Sequence, residues 1–186
     1  LYVKAIDNLS NAGAKVIGLD VLFSDVSPDD EALAAAMTRA GNIVLPLVGT
    51  EYQPSIDPKV TYAHILSPLP RLGQANISVG HANMLPDRDC IIRQLPLVIR
   101  DSNGQTYPAF SLAVLHTFFA ESLPQEYLRQ DGLLHLLSRD IPVNESYGLR
   151  IDFAPEKSSR PYLSFKDVIS GNFDPLVVEN KIVLIG

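Results

Sequence analysis

The chain has 186 residues, 46% of them hydrophobic, and 15 Lys+Arg against 21 Asp+Glu give a formal net charge of −6. That length and apolar share suit one domain with a real core and exclude a disordered chain, while the acidic balance, without any Lys/Arg block, argues against a surface built for nucleic acid or anionic lipid. Cys90 stands alone, so no internal disulfide forms, and no stretch reaches the roughly 18 apolar residues of a membrane span or carries the basic and apolar regions of a signal peptide.

In chain order, Tyr2, Ile6 and Leu9 recur at helical spacing up to Gly13, a residue suited to the left-handed position after a helix. "AKVIGL" (14–19) is short and almost continuously apolar, as expected of a parallel strand covered on both faces; Asp20 stands at its C-terminal end and Asp25 five residues later. "SPDD" predicts a helix start, with Ser27 as cap, Pro28 in the first turn and Asp29 and Asp30 favourable to the dipole, and Gly41 closes that helix. "NIVLPLV" from Asn42 predicts the next buried strand, reached by a right-handed crossover, and Pro46 suggests that it leaves the sheet or lies near an edge. Residues 50–76 carry four prolines and read as a long functional or covering loop with a short turn of helix around Leu69 and Leu72.

"NISVGHAN" resumes a strand, "LPDRDC" turns, and "IIRQLPLVI" reads as its antiparallel partner, ending at a tight Asn103-Gly104 turn. "PAFSLAVLHTFFA" (108–120) is apolar on nearly every face, which predicts a helix wedged between layers. A helix from Tyr127 to Leu137, a strand in "YGLRIDF", a capped helix from Ser164 to Gly171 and a final buried strand in "KIVLIG" complete the pattern. The fold class is α/β: one domain over residues 1–186, with a central mixed sheet and helices on both faces. Its parallel strands fall near 14–19, 43–48 and 182–186, and its antiparallel additions at 77–100 and 148–153.

Ligands of open α/β sheets collect at the carboxyl ends of parallel strands, and Asp20, Phe23 and Asp25 occupy that place. An aspartate there also commonly closes a loop by accepting backbone amides, and for Asp20 that anchoring role stands beside the ligand one. His81, Asn83, Asp87 and Asp89 offer oxygen and imidazole donors, but their spacing matches no metal motif and "PDRD" is ordinary turn chemistry, so no metal is assigned. Arg93, a lone arginine in an apolar run, needs an ion-pair partner, either Asp20 and Asp25 or a bound anion. His116 and His135 fall among apolar residues of presumed helices and read as structural. No G-x-S-x-G, phosphate-loop or dinucleotide motif occurs, Cys90 has no local histidine, and Leu22 stands where a phosphatase built on Asp20 would want its second acid. No catalytic residue and no cofactor follow.

Taken together, "GAKVIGLDVLFSD", "DDEALAAAM", "NIVLPL", "GHANMLPDRDCIIRQLPLVI", "YPAFSLAVL", "LRIDFAPEKSSRPYLSFKDVISG" and "NKIVLIG" resemble in order and spacing the CHASE domain of type two, a sensory module of bacterial receptors. The resemblance skips 51–76 and 121–147, and Cys90 replaces the glycine expected to end a D-x-D-G turn. It implies an extracytoplasmic sensor, periplasmic or extracellular, cut from a longer inner-membrane receptor. Membrane helices would flank it, and an adenylate cyclase, histidine kinase or diguanylate cyclase would serve as cytoplasmic output. It brings no defined site, so a ligand pocket is expected at the strand ends, lined by Asp20, Phe23, Asp25, His81, Asn83, Arg93, Phe110 and Ser111. Three functions compete: a small-molecule sensor, a module that contacts a periplasmic protein or its own dimer mate, and a small hydrolase. The first requires a closed polar pocket under residues 50–76; the second requires an exposed apolar patch on that segment or on the first helix.

Overall fold

The computed structural model describes residues 1–54, 59–73, 75, 77–120, 133–136, 139–144, 147–153 and 161–186. Helix α1 (Tyr2–Asn11) buries Ala5, Ile6 and Leu9, and Gly13 at φ 81° turns the chain into β1 (Val16–Leu19), all four residues of which are buried. Helix α2 (Asp30–Ala40) ends on Gly41 in the left-handed conformation and leads into β2 (Ile43–Gln53). Then come β3 (Val60–Leu66), the short α3 (Pro70–Gly73), β4 (Ser78–His81), β5 (Gln94–Pro96), β6 (Val98–Asp101) and β7 (Thr106–Pro108). Helix α4 (Phe110–Phe119) is followed by β8 (Leu133–Leu136), β9 (Arg139–Pro142), β10 (Gly148–Arg150), α5 (Phe165–Ser170), a 3₁₀ turn (Pro175–Val177) and β11 (Ile182–Ile185).

The α/β class with a mixed sheet is observed. Seven strands form the main sheet in the order β11-β1-β2-β3-β6-β7, with β4 pairing on β2 beside β3. The β11-β1-β2-β4 portion is parallel throughout, and the first half of β2 lies at its centre. Alternation along the strands sends Ile17, Leu19, Ile43 and Leu45 into a core with α1, α2 and α5, and Val16 and Val44 into a second core with Ala113 and Val114 of α4. Helices therefore cover both faces. Each such fully buried aliphatic side chain contributes about 1.5–3 kcal/mol, and that burial, more than helix propensity, holds α1 and α2 in place.

Two glycines let α4 approach the sheet. A Cβ on Gly80 would stand 2.6 Å from Phe110 Cα and 2.8 Å from the Ala109 carbonyl oxygen, and one on Gly18 would stand 3.1 Å from Phe110 Cζ. The other side of α4 buries Leu112 with Leu97 and Leu134, so the helix is sandwiched between the main sheet and the small β5–β10 and β8–β9 sheets.

Several expectations are overturned. The described residues of 50–76 are no covering loop: β2 continues to Gln53 and pairs antiparallel with β3 from Val48↔Leu66 to Gln53↔Thr61, although the turn of helix expected around Leu69 and Leu72 is present as α3. Pro46 is buried inside β2, not at an edge. The Asn42 carbonyl accepts from Ile17 N–H and that of Leu47 from Ala82 N–H, so even-numbered residues of β2 direct their backbone polar groups toward β1. The β1 ladder ends at Val44, so the missing N–H of Pro46 falls where no strand needs it.

The segment 77–100 is not one antiparallel hairpin. Its first strand, β4, is parallel to β2; β5 pairs antiparallel with β10, and β6 is parallel to β3 and antiparallel to β7 across the Asn103-Gly104 turn. Of the helix expected over 127–137, residues 127–132 and 137 lie outside the described residues, and 133–136 form strand β8. "KIVLIG" does pair parallel with β1, but as the edge of the sheet, with Leu184 64% exposed. Helix α2 begins at Asp30; Ser27 serves the turn before it, its hydroxyl accepting from Asp29 N–H while the Asp30 carboxylate accepts from Ser27 N–H.

Candidate functional site

The strand-end residues were expected to line one pocket, and the structure gives most of them other partners. Asp20 follows β1 and is exposed; its own N–H donates to the Ile185 carbonyl at 2.7 Å, and its carboxylate makes no hydrogen bond among the described residues. The backbone, not the side chain, closes that strand end, contrary to the anchoring role expected of the carboxylate. Phe23 packs edge-on against Tyr2 at 5.4 Å as part of the α1 core. Asp25 is exposed and accepts a bond of 3.3 Å from Ser24 Oγ. Phe110 rests over Gly18, and Ser111 is exposed in the first turn of α4.

Asn83 is a structural clamp. Its Oδ1 accepts from Gly49 N–H at 2.7 Å and its Nδ2 donates to the Gly49 carbonyl at 2.8 Å, so the amide acts as one more ladder residue where β4 has ended. Arg93 is ion-paired, as a lone arginine requires, but with Asp87 at 2.8 Å and with both carboxylate oxygens of Asp89, not with Asp20 or Asp25. The fork holds Asp89 below its ordinary carboxylate pKa and keeps the guanidinium charged. Within this loop Cys90 adopts φ 63°, so it occupies a left-handed position that glycine fills without strain. No group of three or more His, Cys, Asp or Glu among the described residues could hold a metal ion.

His81 is 1% exposed, and burial lowers its pKa from 6.5 to about 4, opposed in part by the nearby Pro96 carbonyl. It is neutral at pH 7.

The prominent cavity lies elsewhere. A groove of about 810 Å³ runs between α1, α5 and the free edge of β11, lined largely by apolar residues including Tyr2, Tyr162, Phe165, Val168, Val183 and Leu184. Lys181 is its charged lining group, and its Nζ is taken up by the Leu176 and Val177 carbonyls at 2.7 and 3.0 Å. Tyr162 is 92% exposed. These residues escaped the sequence reading because strand order is a tertiary property: an apolar "KIVLIG" looks the same at the centre of a sheet as at its edge. No helix among the described residues is long and apolar enough to cross a membrane.

A family model described as CHASE2 domain matches residues 1–186, the whole chain. The chain belongs to that family, whose members are sensory extracellular domains of receptors. Neither a curated protein nor a solved structure matches it.

Proposed function

We propose that this domain receives a signal outside the cytoplasm, in the periplasm or at the cell surface, and passes it through membrane helices of a bacterial receptor. The output would be an adenylate cyclase, histidine kinase or diguanylate cyclase. The observation that carries the reading is the open apolar groove beside α1 in a chain of a sensory family. Its volume falls in the range of small-molecule sites, about 300–1,000 Å³, and its lining of Tyr, Phe, Leu and Val suits an uncharged, largely apolar ligand. The groove touches α1 through Tyr2 and Leu9 and α5 through Phe165 and Val168, so a ligand seated there bears on two elements that already pack on each other. A ligand acts on the receptor by the difference in its affinity for the two arrangements of those elements. The strand-end set of Asp20, Asp25 and Ser111 is the competing location, since all three are exposed.

The second reading, contact with a periplasmic protein or a second copy, is favoured by the exposed Tyr162 and Leu184 beside the groove. Output of the full receptor tests the groove that both readings share. With Tyr162→Asp and Val183→Asp, a charge enters the groove from the exposed strap and from the face of β11 that packs toward α1, and the response to signal should be lost while basal output persists. A response unchanged by both substitutions would remove the groove from the mechanism.

A further inference from the structure

We propose that His81 is an acid-sensitive latch, whose protonation releases the junction where β4, the start of α4 and the β5–β10 pair meet. The geometry that carries this is an imidazole 1% exposed, with the Pro96 carbonyl as its nearby acceptor and no well-formed hydrogen bond to either ring nitrogen among the described residues. A buried neutral imidazole normally satisfies one donor and one acceptor, and leaving both unmet is a cost that becomes far larger when the ring takes a proton. His81 pairs with Leu47 of β2, bridges to Ala109 just before α4 and lies near the Pro96 carbonyl of β5, so three elements close over it.

The groups on those elements do not receive the charge. Glu51 and Tyr52 stand at the exposed far end of β2, His116 is the titratable group of α4, and Tyr107 of β7 donates to Asp101. None contributes to the titration of His81, whose causes are burial and the Pro96 carbonyl alone. Protonation therefore requires the ring to reach water. The β5–β10 pair, a two-stranded sheet apart from the main one that brings Pro96 to His81, is the cover that lifts.

The sign is fixed by the lowered pKa. The opened chain binds the proton near 6.5 and the closed one near 4, so the closed form has its full stability above pH 6.5 and loses it as the pH falls toward 4. The ratio of closed to open molecules should fall about 30-fold by pH 5 from this group. An extracellular domain meets such a change directly, and the latch operates whatever occupies the groove.

The test is urea unfolding of the 186-residue protein, followed by far-UV circular dichroism between pH 7.5 and 5, for wild type and His81→Leu. The expected result is that wild type loses about 30-fold more of its folding equilibrium over this range than His81→Leu, whatever the variant's absolute stability. Equal pH dependence in the two would overturn the proposal. Should His81→Leu fail to fold, the ring resonances of His81 in the wild-type protein decide: titration well below pH 5 supports the latch, and titration near 6.5 in the intact fold refutes it.

Discussion

Cys90 offers a prediction whose sign runs against intuition, because replacing it with glycine should stabilise the protein. The Cys90 N–H donates to the Asp87 carbonyl and the Asp87 N–H to the Ile91 carbonyl, both at 2.9 Å, a tight turn whose last residue must be left-handed. Cys90 meets that demand at φ 63°. A side chain with Cβ pays about 1–2 kcal/mol in that region, while glycine loses about 0.5–1 kcal/mol more backbone entropy on folding than alanine. Cys90 is exposed, so removing its thiol forfeits little packing. The net gain for Cys90→Gly is about 0.5–1 kcal/mol, or about 1–4 °C in Tm for a domain of this size. Thermal unfolding under reducing conditions measures it, with Cys90→Ala as the control that keeps the Cβ and should match wild type. A Cys90→Gly protein no more stable than Cys90→Ala would refute the left-handed assignment.

Three further outcomes test the packing and hydrogen bonding. Gly80→Ala drives a methyl into the backbone of Ala109 and Phe110, neither of which can swing aside, and should cost about 1–3 kcal/mol or more by denaturant unfolding; a neutral effect would mean that α4 is not seated on β4. Asn83→Ala leaves the N–H and carbonyl of buried Gly49 without their clamp and should cost about 1–3 kcal/mol in the same assay, with wild-type stability contradicting the clamp. Asp20→Ala, by contrast, should change stability by no more than about 0.5 kcal/mol, because the exposed carboxylate makes no hydrogen bond among the described residues; a loss above 1 kcal/mol would restore a structural role to that side chain.

The parts of the fold legible in the sequence are those fixed by local chemistry. Gly41 and Gly171 sit left-handed at φ 69° where helices end, the Asn103-Gly104 pair turns β6 into β7, and the apolar runs at β1 and β2 are parallel strands. Position in the sheet was not legible. The hairpin of β2 and β3 hid behind the prolines of 50–76, and its half-exposed alternation is weak, with the outer residues of β2 from Thr50 to Gln53 all exposed. Pro46 misled because a proline is excluded from a strand only where its N–H would meet a neighbour, and the end of the β1 ladder decides that.

At the candidate site, residue types were read more surely than their partners. Arg93 had to be paired, but its fork found the nearer acids Asp87 and Asp89 of its own loop, and the i,i+4 spacing of Asp89 and Arg93 was a signal already present. Asn83 has a ligand-like amide that instead completes a strand ladder, a role set by where β4 stops.

The measurement that bears most directly on signal reception is a thermal-shift screen of the domain against uncharged apolar small molecules. Hits would be repeated on Tyr162→Asp, Val183→Asp and, for the strand-end location, Asp20→Ala and Asp25→Ala. A ligand that binds the folded state alone must raise its stability. The expected result is a stabilisation that disappears in Tyr162→Asp and Val183→Asp and survives in the other two variants. Stabilisation lost instead in Asp20→Ala and Asp25→Ala, or absent for every compound, would contradict ligand reception in the β11 groove.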